Sequence, residues 1–235
     1  VLLLEAGVPD TNPLIRMPAA SFKIVYGKGR EITEPSSPPQ PSLGGRTVVM
    51  PQANVLGGGS SVNAMVYLRG TPSDYDRWAD QVGWEWGWDW NGMLAYFREQ
   101  EGNIRLNNEF HGIDGPYKVA DPLYIDEGSH RFLQTMQAMG LPYVEDFNRE
   151  VKLGTGLMQL ATYRGRRWSA ADAFIHNVDR PELLTVETGA AVTNVLFDGH
   201  RATGVEYMKN GKLERVYARH EVLLAAGALR TPKIL

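Results

Sequence analysis

The sequence predicts an α/β fold, and three observations carry that expectation. Two apolar runs, "VLLLEAG" at residues 1–7 and "VLLAAG" at 222–227, each end on glycine and read as parallel strands buried on both faces. Helical periodicity occupies 71–102 and returns at 129–140. From residue 183 the apolar period changes to two, the mark of half-buried strands.

Composition bounds what such a fold can do. With 235 residues and 43% hydrophobic content the chain can bury the core of one large or two modest domains. Its 24 basic and 27 acidic residues are intermixed, which gives no electrostatic reason for a nucleic acid or an acidic membrane as partner. The lack of cysteine excludes disulfides, thiolate metal sites and a cysteine nucleophile. No apolar run approaches the roughly 18 residues that span a bilayer, so no transmembrane segment is expected and the default compartment is cytoplasmic. The chain opens without Met inside an apolar strand and closes as abruptly in "EVLLAAGALRTPKIL", which reads as a segment of a larger protein.

Along the chain, Glu5 closes the first strand, and a polar stretch leads into 19–51, where Pro35, Pro38, Pro39 and Pro41 oppose regular structure. This stretch reads as an extended excursion that buries Phe22, Ile24, Val25 and Tyr26. Pro72 and Asp74 mark a helix start, and Leu94, Phe97 and Glu101 space as a helix that Gly102 closes. Between them "VGWEWGWDW" holds four tryptophans in seven residues, read as packing rather than a substrate platform. Ser129 is expected to cap a helix carrying Phe132, Leu133, Met136 and Met139 that Gly140 ends, and Ser169 with Asp172 forms a capping box. Asp198-Gly199 and Asn210-Gly211 are hairpin turns that split the C-terminal region into an antiparallel meander.

Three stretches carry chemistry. An acid at the end of a strand, as Glu5 is, accepts hydrogen bonds from ribose hydroxyls in dinucleotide-binding βαβ units; alternatively it is a strand-end glutamate facing solvent. In "LGGGSSVNAMV" the consecutive glycines let backbone approach a bulky ligand, and successive amides make a concavity suited to a pyrophosphate, reinforced if a helix starts after Ser60. The alternative there is a tight glycine turn before a buried helix. His111, His130, His176, His200 and His220 show no metal-ligand spacing and are expected in hydrogen-bonded surface roles.

In this order and spacing, "VLLLEAG", "LGGGSSVNAMVYLRG", "DYDRWA", "SAADAF" and "LLAAGALRTPKIL" resemble the glucose-methanol-choline family of FAD-dependent oxidoreductases, most of all its bacterial alcohol and choline dehydrogenase-like branch. The resemblance implies a doubly wound, Rossmann-like FAD-binding domain with an antiparallel meander, from 1–10, 42–122 and 186–235, and a smaller α+β substrate domain from 11–41 and 123–185, both incomplete. It implies that Glu5 and Ala6 meet the adenosine ribose and that Leu56, Gly57, Gly58, Gly59 and Ser60 pass along the phosphates and flavin. Asn63, Ala64, Met65 and Val66 would lie beside the isoalloxazine and ribityl chain, with Val192, Ala226 and Gly227 contributing main chain.

The implied reaction is oxidation of a primary alcohol, a small-molecule substrate, to an aldehyde by hydride transfer to flavin N5, with reoxidation by oxygen or a quinone. The catalytic histidine of the family would lie beyond Leu235, so the segment by itself is expected to turn over little or no substrate. A hydroxynitrile lyase-like member with non-redox FAD and a non-catalytic truncated module are the competing readings. Two positions depart from the family pattern. Gln52-Ala53-Asn54 replaces a stretch that commonly holds a cation, which is then missing or supplied elsewhere. Val62 stands where covalently flavinylated relatives place histidine, so the FAD is expected to be dissociable.

Overall fold

The computed structural model describes residues 1–27, 29–149 and 153–235. The chain forms two compact units: Val1–Asn12, Phe22–Gly59 and Asp179–Leu235 make one, Pro13–Ser21 and Ser60–Val178 the other. These units cut across the boundaries expected from sequence, because 22–41 folds with the first strand and 60–122 folds with 123–178.

In the first unit, Leu2–Glu5 pairs in parallel with Thr185–Thr188, Leu3 opposite Val186. The meander forms as expected from Ala191–Asp198, Arg201–Lys209 and Lys212–Tyr217, all antiparallel. Asn210 (φ 50°) and Gly211 (φ 75°) make the second hairpin turn, and only residues tolerant of positive φ close so short a loop. Ala190, Val205 and Tyr207 form the core of this unit, with Leu4, Val192, Val216 and Val222 packed against it.

Two expectations fail in this unit. Val222–Ala226 is not a strand: no strand pairs with it among the described residues, and Leu223, Ala225 and Ala226 are exposed. An apolar run becomes a strand only through a ladder with a neighbour, which its own sequence does not report. The segment 19–26 is not an extended excursion either. Ser21–Tyr26 is a helix that buries Ile24, while the rings of Phe22 and Tyr26 stack on its exposed side 6.3 Å apart. Farther along, Ile32–Thr33 pairs antiparallel with Gln52–Ala53, Pro41–Leu43 forms a 3-10 turn, and isolated bridges join Ser36 to Val49 and Gln40 to Arg46.

The second unit is built on the helices Pro72–Val82, Trp90–Gln100 and Glu127–Ala138. Asp74 caps the first by accepting from the Thr71 N–H and hydroxyl, both at 2.7 Å. The second ends one residue before expectation, because Glu101 and Gly102 enter the strand Glu101–Asn103, parallel to Tyr117–Val119. Asp126, not Ser129, caps the third: its carboxylate accepts from the Ser129 N–H at 3.0 Å, and Gly140 (φ 95°) follows the helix end as expected. Of the tryptophan cluster only Trp90 is buried, against Tyr75 and Phe110, whereas Trp84, Trp86 and Trp88 stand exposed. No helix among the described residues is long and apolar enough to cross a membrane.

Candidate cofactor site

In the first unit, four stretches distant in sequence meet where the strand Leu2–Glu5 ends. The Val8 N–H donates to the Asn54 carbonyl at 3.0 Å, and the Leu56 N–H returns a bond to the Val8 carbonyl at 2.9 Å. The Gly189 and Ala190 N–H groups donate to the carbonyls of Gly7 (2.8 Å) and Glu5 (2.9 Å). Gly7 is required for this approach: a Cβ there would lie 1.9 Å from the Asn54 carbonyl carbon. Glu5 and Ala6 are thereby set beside the segment that opens into Leu56, Gly57 and Gly58. Val192 faces the same core as Leu4, opposite Tyr207 in the meander. Ala226 and Gly227 (φ 86°) lie on an exposed turn whose Gly227 carbonyl accepts from the Thr231 N–H.

Charge at this end of the unit is mixed. Burial pushes the Glu5 carboxyl above the usual carboxylate range, opposed by the Gly7 N–H, 2.7 Å from its Oε1, and by the charge of Arg230. Arg230 donates to Asn54 Oδ1 at 3.3 Å and to Thr33 Oγ1 at 2.7 Å. A guanidinium from far along the chain therefore stands at the stretch Gln52–Asn54, where the sequence itself offers no cation.

Within the glycine tract Gly59 is exposed, while Gly57 and Gly58 are half-buried and the Gly58 N–H donates to the Val55 carbonyl at 2.9 Å. Gly57 (φ 86°) and Gly58 (φ 57°) need glycine for their left-handed backbone. Gly59 does not: its φ is outside that region and a Cβ there meets nothing within 4 Å. Among the described residues, neither packing nor backbone conformation calls for glycine at 59.

In the second unit, Ser60–Val66 continues as a single 3-10 turn, Gly58–Ser61, rather than the α-helix considered from sequence. Met65 adopts φ 64°, which interrupts any helical path. The segment turns one side inward and one outward: Ser61, Val62 and Met65 are buried, while Asn63, Ala64 and Val66 are exposed. Ser60 Oγ accepts from the Ala170 N–H at 2.8 Å, at the start of the turn that Ser169 and Asp172 box. Asn63 Oδ1 accepts from the Met65 N–H at 3.0 Å.

Behind this segment sits Arg167, 1% exposed. Its Nε donates to the Ile15 carbonyl (2.9 Å), Nη1 to the Ser60 carbonyl (3.0 Å) and Asn63 Oδ1 (2.8 Å), and Nη2 to Ser21 Oγ and the Asn63 carbonyl, both 2.7 Å. Burial pulls the guanidinium down to about 10, which still leaves it charged at neutral pH. Sequence reasoning missed Arg167; its one local signal is its place two residues before the Ser169 capping box.

A second buried polar group anchors the far end of the same stretch. Arg69 pairs with the fully buried Glu101, and His111 places Nδ1 2.8 Å from Glu101 Oε1 and Nε2 3.0 Å from Asp146 Oδ2. Asn148 accepts from the Arg69 N–H at 2.8 Å and donates to the Tyr67 carbonyl at 3.1 Å. The surface role expected for histidine holds for His130, His176, His200 and His220, which are exposed, and fails for His111, which is 1% exposed. Two carboxylates provide what a buried imidazole needs, and they come from segments that its sequence neighbours do not reveal.

The chain matches the GMC oxidoreductase family over residues 20–235. It is 37% identical to the oxygen-dependent choline dehydrogenase of Brucella anthropi and 39% identical to the mitochondrial choline dehydrogenase of Homo sapiens, covering 100% of this chain and 42% and 40% of those proteins. It is 38% identical to the alcohol dehydrogenase [acceptor] of Pseudomonas putida, over 100% of this chain and 43% of that protein. Among solved structures, pyridoxine 4-oxidase from Mesorbium loti superposes with a TM-score of 0.91 at 30% identity, over 100% of this chain and 46% of that one. An FAD-dependent oxidoreductase from Chaetomium thermophilum gives 0.88 at 34%, over 100% and 42%. The chain thus spans about two fifths of the curated relatives it matches, and the lyase reading finds no support among them. With that match over most of its length, this chain belongs to the GMC oxidoreductase family.

Proposed function

We propose that the chain supplies much of the FAD site of an oxidoreductase that converts a primary alcohol to an aldehyde, its electrons passing on to oxygen or a quinone. One observation carries the reading: glycine stands at 59 where, among the described residues, neither backbone conformation nor packing demands it. Relatives named as choline and alcohol dehydrogenases, and a structural neighbour named as FAD-dependent, support the assignment.

Bound FAD supplies the two-electron acceptor for the hydride of the substrate α-carbon. The chain's residues bind and orient. Glu5 and Ala6 receive the ribose, the main chain of Leu56–Ser60 passes along the phosphates and flavin, Asn63–Val66 present their exposed side to the ring system, and Val192, Ala226 and Gly227 contribute main chain. Ser61, Val62 and Met65 hold the inner side of the segment in the core. The alcohol proton is not assigned to a histidine of this chain: His111 is engaged at both nitrogens by carboxylates and the other four are exposed.

Equilibrium dialysis against FAD, with the visible spectrum of the retained flavin, tests the assignment. Saturable binding near one FAD per chain is expected. Flavin that distributes equally across the membrane sinks the reading.

A further inference from the structure

Arg167 has five N–H donors, and all five are used on neutral acceptors. Three of the five go to Ser60 and Asn63, within the stretch proposed to carry the cofactor. The guanidinium therefore acts as a rigid template that fixes one backbone carbonyl on either side of the Ser61–Val62 step. It also fixes the Asn63 side chain. With Oδ1 taken by Arg167 Nη1 and the Met65 N–H, the amide cannot flip, and its NH2 group is directed away from the guanidinium. Asn63 is exposed, so a preset donor faces outward. The Asp172 carboxylate, whose charge acts on Arg167, is already engaged by Arg16 and by the Ser169 N–H and hydroxyl.

We propose that Arg167 is a positioning residue for the cofactor segment: it sets the Ser60–Asn63 main chain and the orientation of the Asn63 amide that meets the bound group. This rests on the FAD reading above. A planar fork with five fixed donors is the side chain suited to the task, and lysine, with three donors on a flexible stem, keeps the charge without the geometry.

The test is FAD affinity of the protein by equilibrium dialysis for wild type, Arg167→Lys, Asn63→Ala and the double variant, with the flavin visible band and thermal unfolding recorded for each. Arg167→Lys is expected to weaken FAD binding about tenfold or more and to shift the flavin band. The double variant should lose little beyond the weaker single variant, because both changes remove one arrangement. Arg167→Met, which also removes the charge, should behave no better than Arg167→Lys.

Wild-type binding with unchanged affinity and band shape in Arg167→Lys overturns the proposal, even if the melting temperature falls, since that pattern describes a purely structural brace. Additive losses in the double variant overturn it as well, because Arg167 would then act independently of Asn63. If Arg167→Met does not fold, the Arg167→Lys and Asn63→Ala cycle decides alone. Absence of binding in the wild type instead refutes the cofactor reading itself.

Discussion

His111 Nε2 lies 3.0 Å from Asp146 Oδ2, and the opposite ring nitrogen lies 2.8 Å from Glu101. Carboxylates only accept, so these contacts favour a ring that donates from both nitrogens, the imidazolium form. Arg69 on Glu101 and Arg149 near Asp146 complete the charges around it. The cluster ties the strand Glu101–Asn103 to the loop 146–148 and, through Asn148, to Tyr67 and Arg69 at the end of the proposed cofactor stretch.

This cluster makes stability depend on pH in a stated direction. Burial works against the His111 charge, but the bonds to Asp146 and Glu101 outweigh it and hold its pKa above the ordinary imidazole value. Its contribution is therefore complete below the unfolded value of about 6.5 and is lost as pH rises through the higher folded value. Asp146 runs the other way: burial raises it, yet the His111 bond and the Asn148 N–H prevail and lower it. Its contribution is present above about 3.9 and is lost as pH falls through the lower folded value. Thermal unfolding should weaken on the alkaline side in the wild type. His111→Gln should cost about 3–5 kcal/mol near neutrality and flatten that alkaline limb; an unchanged limb would show that another group titrates.

Two glycines of the proposed cofactor region should separate structure from binding. Gly7→Ala drives a Cβ into the Asn54 main chain, which cannot retreat as a side-chain tip could, so unfolding should come at least about 1–3 kcal/mol earlier. Gly59→Ala meets open space at a permitted φ and should change stability by no more than about 0.5 kcal/mol. Its FAD affinity should nonetheless fall about tenfold or more. Denaturant titration and dialysis on the same preparations check both, and full FAD affinity in Gly59→Ala would remove the main support for the proposed site.

What was legible in the sequence was mostly local. Asn210-Gly211 announces its hairpin because positive φ is a property of those two residues, and Ser169 with Asp172 announces a capping box because the partners are three apart. Arg167 was not legible, because its acceptors at Asn63 and Ile15 lie 104 and 152 positions away. His111 looked like a surface histidine for the same reason, its partners being 10 and 35 positions distant. Val222–Ala226 shows the converse: a strand-like run without a ladder stays irregular. In the candidate site, the inward side of Ser61, Val62 and Met65 emerged only from the fold, since Met65 holds a left-handed backbone that its side chain does not announce.

Val62 bears on how FAD is held. Its side chain is buried and carries no nucleophile, so the flavin should be dissociable. After acid precipitation of the loaded protein, the flavin absorbance is expected in the supernatant. Flavin retained in the washed pellet would mean a covalent bond formed elsewhere on the protein.

Arg230 should tune Glu5. The carboxyl is raised by burial, and the Gly7 N–H and the Arg230 charge only partly offset that rise. Arg230→Met removes one of the two opposing influences, along with the bonds to Asn54 and Thr33, so Glu5 should titrate at still higher pH. An acid raised in the folded state binds its proton more tightly there. The variant should therefore lose stability as pH rises from about 4.3 through the new folded value, by more than the wild type loses. Carboxyl-carbon NMR titration of Glu5 in both proteins reads the shift directly. A Glu5 that titrates identically in the two would show that the guanidinium at Asn54 is screened from the strand end, and that burial and the Gly7 amide alone set the charge of the residue proposed to meet the ribose.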